Sequence, residues 1–173
     1  MGYNIRIGNA VPETEWPSNP EYQDDEPLAH WVVKGVTLES APFYPDSGKT
    51  NGRDPSYTGW SDFADALGLH DFFFDKGVGK MRRHPGCFKL TKEDVAFVRE
   101  RVEAYKAARP DAQPIYCQCA RETCDPYGIG LKKDAPRPPH NPHADMNLMR
   151  AEWLLWWMEW AVNNCERPAI WNA

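Results

Sequence analysis

The stretch Ala151-Glu152-Trp153-Leu154-Leu155-Trp156-Trp157-Met158-Glu159-Trp160-Ala161-Val162 concentrates more large apolar surface than any other part of the chain. Met146, Met149, Trp153, Trp156, Trp157 and Trp160 recur at helical spacing, and Leu148, Leu155 and Val162 add a second apolar strip. A helix apolar on so many faces has to be buried, so the rest of the chain is expected to pack around it. Asn141 as N-cap and Pro142 at the first helical position mark its expected start, and the segment runs to Glu166. Asp145, Glu152, Glu159 and Glu166 recur every seven residues and so fall near one line of this helix. Either that line is its wet stripe, or Glu152 or Glu159 sits beside tryptophans near Arg150 or Arg167. In the second case burial raises a carboxylate's pKa and makes it an acid or base.

The other elements are read from shorter signals. Tyr3, Ile5 and Ile7 alternate with Asn4 and Arg6 as a half-buried strand, and the β-branched and aromatic run His30–Glu39 is a second strand, paired with the first. Asp54-Pro55 opens a helix with Trp60, Phe63, Ala64 and Leu67 on one face and Gly68 as its stop. Leu69–Phe74 reads as a helical turn or a buried connector. Thr91-Lys92-Glu93-Asp94 is a capping box with aspartate in place of glutamate, and Val95, Val98, Val102 and Tyr105 continue it as a helix to about Ala108. Residues 12–27 form an acidic, proline-broken loop, and residues 110–141 a proline- and cysteine-rich one. The reading is a single α+β domain over residues 1–173: a small antiparallel sheet of two or more strands packed on about three helices, with the Trp-rich helix central.

Charge and cysteine usage narrow the function classes. A net charge of −5 argues against general nucleic-acid binding, which needs a basic surface. The longest apolar run is interrupted by Glu152 and Glu159 and is too short to span a bilayer. The first residues lack a basic segment followed by an apolar core, and the five cysteines are an odd number, which together point to a cytoplasmic setting.

Four places could carry chemistry. The loop Lys76–Gly86 places Lys80, Arg82, Arg83 and His84 among glycines, a pattern suited to anions because glycine permits close backbone approach and arginine offers a forked donor. Lys49 and Arg53 lie in the polar loop 45–53; its Gly48-Lys49-Thr50 matches the end of a phosphate-binding loop, but Phe43 occupies the place of the required first glycine. Tyr57 or Trp60 could supply a stacking face for a base. Cys117, Cys119, Cys124 and His140 have the ligand types of a structural zinc site at unusual spacing, while Cys87 and Cys165 read as small buried hydrophobes. No nucleophile signature surrounds any serine or cysteine.

The opening Met1-Gly2-Tyr3-Asn4-Ile5-Arg6-Ile7-Gly8-Asn9-Ala10, the internal Pro55-Ser56-Tyr57-Thr58-Gly59-Trp60 and His84-Pro85-Gly86-Cys87, and the close Asn164-Cys165-Glu166-Arg167-Pro168-Ala169-Ile170-Trp171-Asn172 resemble the layout of a set of small, uncharacterised phage, prophage and actinobacterial proteins. That resemblance implies an accessory protein acting by binding in the host cytoplasm, for example by sequestering a nucleotide-like signal or blocking a host defence protein. The expected function is therefore non-enzymatic binding of an anionic small molecule or a host protein. The alternatives are an enzyme acting on a phosphorylated or nucleotide-like substrate, with His84 or Glu159 as acid or base, and a phage structural or assembly protein whose exposed aromatics join a homo-oligomer.

Overall fold

The computed structural model describes residues 2–12, 31–117 and 139–173. Its element order is β1 (Ile5–Pro12), β2 (Trp31–Val33), β3 (Gly52–Arg53), α1 (Tyr57–Leu67), α2 (His70–Phe74), β4 (Gly86–Lys89), α3 (Lys92–Ala107), α4 (Met146–Asn164) and β5 (Pro168–Asn172). This is the expected α+β architecture. The sheet is antiparallel and curled, in the order β2-β1-β5-β4. β5 pairs with β1 from Ile5↔Asn172 to Asn9↔Pro168, and β3 joins the opposite edge of β1 at Ile5↔Arg53.

α4 forms the core. Trp153, Leu154, Trp157, Met158 and Ala161 are fully buried against β1 and α3, together with Ile5, Ile7, Trp60, Phe63, Phe73, Val98 and Val102. Trp156, Trp157 and Trp160 meet edge to face at centroid separations of 4.9 and 5.3 Å, the geometry favoured by the ring quadrupoles. Trp153 donates its indole N–H to the Thr50 carbonyl at 3.0 Å, which ties the helix to the polar loop.

Two helix starts differ from the sequence expectation, each because a distant segment of the same chain pairs with the backbone there. Tyr3 donates its N–H to the Pro55 carbonyl at 2.9 Å, and Gly2 bridges Ser56. This holds Pro55-Ser56 extended, so Ser56 rather than Asp54 caps α1, accepting from Gly59 N. Gly2 is required there, since a Cβ would lie 2.5 Å from the Pro55 oxygen. Likewise Gln113 donates to the His143 carbonyl and accepts from Asp145 N, keeping residues 143–145 extended. Asn141 therefore closes a local turn through His143 N, and Asp145 caps α4 by accepting from Leu148 N. The capping box of α3 forms as read, with Thr91 and Asp94 satisfying each other's amides at 3.2 and 2.8 Å.

The second strand is shorter than expected. Only Trp31–Val33 pairs with β1. The backbone then turns onto the polar loop, where Leu38 N donates to the Lys49 carbonyl and Asn51 N to the Val36 carbonyl. Leu69–Phe74 resolves into α2 (His70–Phe74), and β3, β4 and β5 are strands the sequence reading did not place, β3 lying in the stretch read as a polar loop. Asn51, with no exposed surface, holds this corner: its amide donates to the Ile7 and Lys34 carbonyls at 3.0 Å each and accepts from Val36 N at 2.7 Å.

Candidate functional site

The basic loop directs much of its charge inward. Lys80 Nζ lies 2.7 Å from the Asp94 carboxylate and donates to the Lys89 carbonyl at 2.8 Å. Arg82 donates to the Gly79 carbonyl at 3.0 Å, and its guanidinium lies 4.4 Å from the Phe88 ring centroid. Arg83 is exposed. Asp75 organises the loop by accepting from Val78 N and Gly77 N, bonds that hold its carboxyl below the usual range.

His84 joins a different cluster. Its Nδ1 lies 3.1 Å from Asn172 Oδ1 and its Nε2 3.1 Å from the Tyr57 hydroxyl. Asn172 donates its amide to the Gly86 carbonyl at 3.4 Å, which leaves its oxygen to face the imidazole. An amide oxygen only accepts, so neutral His84 carries its proton on Nδ1 and its Nε2 accepts from Tyr57 O–H. Tyr3 packs on both rings, 4.6 Å from Tyr57 and 5.2 Å from His84 between centroids. Burial pushes the Tyr3 phenol above its ordinary range, with Tyr57 adding to the shift. Trp60 belongs elsewhere. It has no exposed surface and packs on Phe63 and Phe73, so the expectation that it offers a stacking face is overturned.

The best-built constellation lies where β3, the start of α1 and the flank of α4 converge. A cleft of about 340 Å³ is lined by Asp46, Ser47, Arg53, Asp54, Pro55, Ser56 and Arg150. Arg53 is only 5% exposed. Its guanidinium carbon sits 3.4 Å from the Tyr44 ring centroid and 5.4 Å from that of Trp153, a desolvated cation–π arrangement worth roughly 2 kcal/mol. Burial pushes the Arg53 guanidinium down to about 10; Tyr44 opposes that shift, and Arg150 adds to it. Arg53 thus stays charged at neutral pH.

Arg150 donates to the Gly59 carbonyl at 3.2 Å and to Asn147 Oδ1 at 3.4 Å. Among the described residues neither guanidinium has a carboxylate within ion-pair distance. Arg53 Nη1, Arg150 Nε and Ser47 Oγ are buried without a hydrogen-bond partner there. Ser56, on the same wall, caps α1, whose first turn carries no acidic residue to offset the positive end of its dipole. Two like charges with donors that have no partner thus lie beside a helix N-terminus, with the exposed carboxylates of Asp46 and Asp54 on the same lining.

The remaining expectations divide by position. Lys49 donates to the Glu39 backbone and carboxylate at 2.6 and 3.0 Å, away from the cleft. Cys117 Sγ and His140 Nδ1, one at each end of the cysteine-rich loop, lie 3.6 Å apart. Cys119 and Cys124 fall outside the described residues, within which no group of three or more His, Cys, Asp or Glu side chains is placed to hold a metal ion. Cys87 is buried, and that burial pushes its thiol up to about 12; Cys165 is half-buried and its thiol is raised for the same reason. Glu152 and Glu159 form partly exposed ion pairs with Lys106 and Arg99 of α3, at 3.1 and 2.9 Å. The acidic line of α4 is thus its contact with α3 and with water.

No family model, no curated protein and no solved structure matches this chain. The site has to be read from its own geometry. Sequence reasoning named Arg53 but took Arg150 only as a possible neighbour of a glutamate, and it passed over Ser47 and Asn172. The available signal for Arg150 was a lone cation in the first half of a helix whose other basic positions are empty.

Proposed function

We propose that this protein binds a small anionic ligand in the cleft between Arg53 and Arg150, without chemistry of its own. The observation that carries the reading is the pair of guanidiniums, one almost wholly buried, with unpartnered donors and, among the described residues, no carboxylate within ion-pair distance of either. Burying unsatisfied donors costs about 1–3 kcal/mol each, a cost an oxyanion would recover on binding. The resemblance in layout to phage and prophage proteins is the ground for a sequestering role in a host cytoplasm. The hydrogen-bonded Tyr57–His84–Asn172 chain supports a second reading, acid–base chemistry on a bound phosphorylated substrate, since His84 Nε2 is set up as a proton acceptor.

The test is calorimetric titration of the protein with inorganic phosphate and with sulfate, alongside Arg150→Met and the double variant Arg82→Ala/Arg83→Ala. Binding that falls at least tenfold in Arg150→Met and stays unchanged in the double variant is the expected result. Absence of binding of phosphate, sulfate and phosphate monoesters alike to the unaltered protein at millimolar concentration refutes the reading. Loss confined to the double variant moves the site to the basic loop. Release of inorganic phosphate from a phosphate monoester incubated with the protein would favour the enzyme.

A further inference from the structure

The lining of the cleft goes further than a preference for negative charge. We infer that its ligand is a phosphorylated polyol, such as a sugar phosphate, rather than a bare anion or a nucleotide; this rests on the anion-binding reading above. Arg53, Arg150 and Ser47 supply the buried donors, whereas Asp46 and Asp54 line the same cleft as exposed residues. Ionised carboxylates only accept hydrogen bonds, and the neutral donors best matched to them are hydroxyls. The four charged lining side chains sum to zero, which is a poor design for capturing an ion by field alone. A free phosphate would meet the two arginines but bring nothing to the two aspartates. A phosphate carrying several hydroxyls satisfies both sets.

Size and the absence of a stacking surface in the lining point the same way. A volume of about 340 Å³ lies at the lower end of the roughly 300–1,000 Å³ typical of small-molecule sites, larger than one tetrahedral anion needs. Among the described residues no aromatic ring lines it. Tyr44 and Trp153 lie just behind, but both are buried with Arg53 over their rings, and the Tyr57 ring packs on Tyr3 and His84 instead. A nucleobase would find no face on which to stack, and stacking is the main sequence-independent contribution to base recognition. The expectation of a nucleotide-like ligand is thereby narrowed to its phosphate and sugar.

The experiment titrates the full chain with glycerol 3-phosphate, ribose 5-phosphate, glucose 6-phosphate, AMP, glutamate and inorganic phosphate, and repeats the series with Asp46→Ala/Asp54→Ala. At least one of the three polyol phosphates should bind tenfold or more tighter than inorganic phosphate and AMP. The double variant should bring that ratio toward one by weakening the polyol phosphate and strengthening inorganic phosphate, whose repulsion by the aspartates is then gone. Equal affinities for inorganic and polyol phosphates, with a ratio insensitive to the variant, would overturn this inference and leave the anion site standing. Tighter binding of AMP would overturn it by requiring a base contact. Tighter binding of glutamate would overturn it by assigning the aspartates to an ammonium group. Failure of every phosphate compound to bind would overturn both readings.

Discussion

Asn51 offers the most demanding test of the architecture, because one side chain satisfies three backbone groups from separate parts of the chain. Its amide nitrogen serves the Ile7 and Lys34 carbonyls and its oxygen serves Val36 N, at 3.0, 3.0 and 2.7 Å. In Asn51→Leu, a near-isosteric change, all three bonds go at once. The Ile7 carbonyl lies in the dry interior, where an unmet acceptor costs about 1–3 kcal/mol. The other two bonds are part-buried, so water can replace them at about 0.5–1 kcal/mol each. The sum is about 2–5 kcal/mol, lowered somewhat by the apolar surface that leucine buries. Asn51→Asp keeps the bond to Val36 N but turns a carboxylate toward two carbonyls. Its pKa in the folded state must rise, so this variant should be weakest at neutral pH and regain stability as pH falls through the raised pKa toward the ordinary carboxylate range. Urea unfolding followed by tryptophan fluorescence reads both. At a slope of about 1–3 kcal/mol/M, a loss of about 3 kcal/mol moves the midpoint by about 1–3 M. A loss in Asn51→Leu below about 1 kcal/mol with an unchanged slope would refute the reasoning, as would an Asn51→Asp variant indifferent to pH.

The Cys87 thiol rises from 9.0 to about 12 on folding because it is buried. A group raised in the folded state gives stability that is fully present below its unfolded pKa and is lost as pH climbs through the folded one, at up to about 1.4 kcal/mol per pH unit. Between pH 8 and 10.5 the wild type should therefore lose about 2 kcal/mol more than Cys87→Ala; parallel stability curves would contradict this. Gly68 stops α1 in the left-handed region at φ 66°, and a would-be Cβ would meet only the Arg101 side chain in ordinary contact at 3.9 and 4.0 Å, so Gly68→Ala should cost about 1–2 kcal/mol from backbone conformation alone. For a domain of this size that lowers the melting temperature by about 2–8 °C, and an unshifted transition would mean the helix end rearranges.

What was legible in the sequence was what the chain decides locally. The capping box at Thr91 and Asp94 involves neighbours only, and it forms as read. The stop at Gly68 and the burial of α4 follow from glycine's freedom and from apolar surface that has nowhere else to go. The failures lie where a distant segment decides. Asn141-Pro142 and Asp54-Pro55 have the chemistry of a helix start, and that chemistry serves a turn or a bridge equally well. Gln113 in one case and Tyr3 in the other selected the outcome. β5 was missed because five residues after a long helix carry little periodicity, although Ile170 and Asn172 are wholly buried. The cleft was half visible: Arg53 stood in a loop already read as polar, but Arg150 follows 97 positions later, and only the docking of α4 on β3 and α1 brings them together.

The pairing of β1 with β5 has a consequence in time. β1 is made well before its main partner, which begins at Pro168. At a synthesis rate of about 5–20 residues per second, Ile5 and Ile7 wait on the order of ten seconds for the strand that will cover that edge. During that interval α3 can form and hold its own caps, but the sheet cannot close. A newly made chain therefore passes through a stage in which an apolar strand is open to whatever else adds to a sheet edge, and the synthesis of β5 ends it.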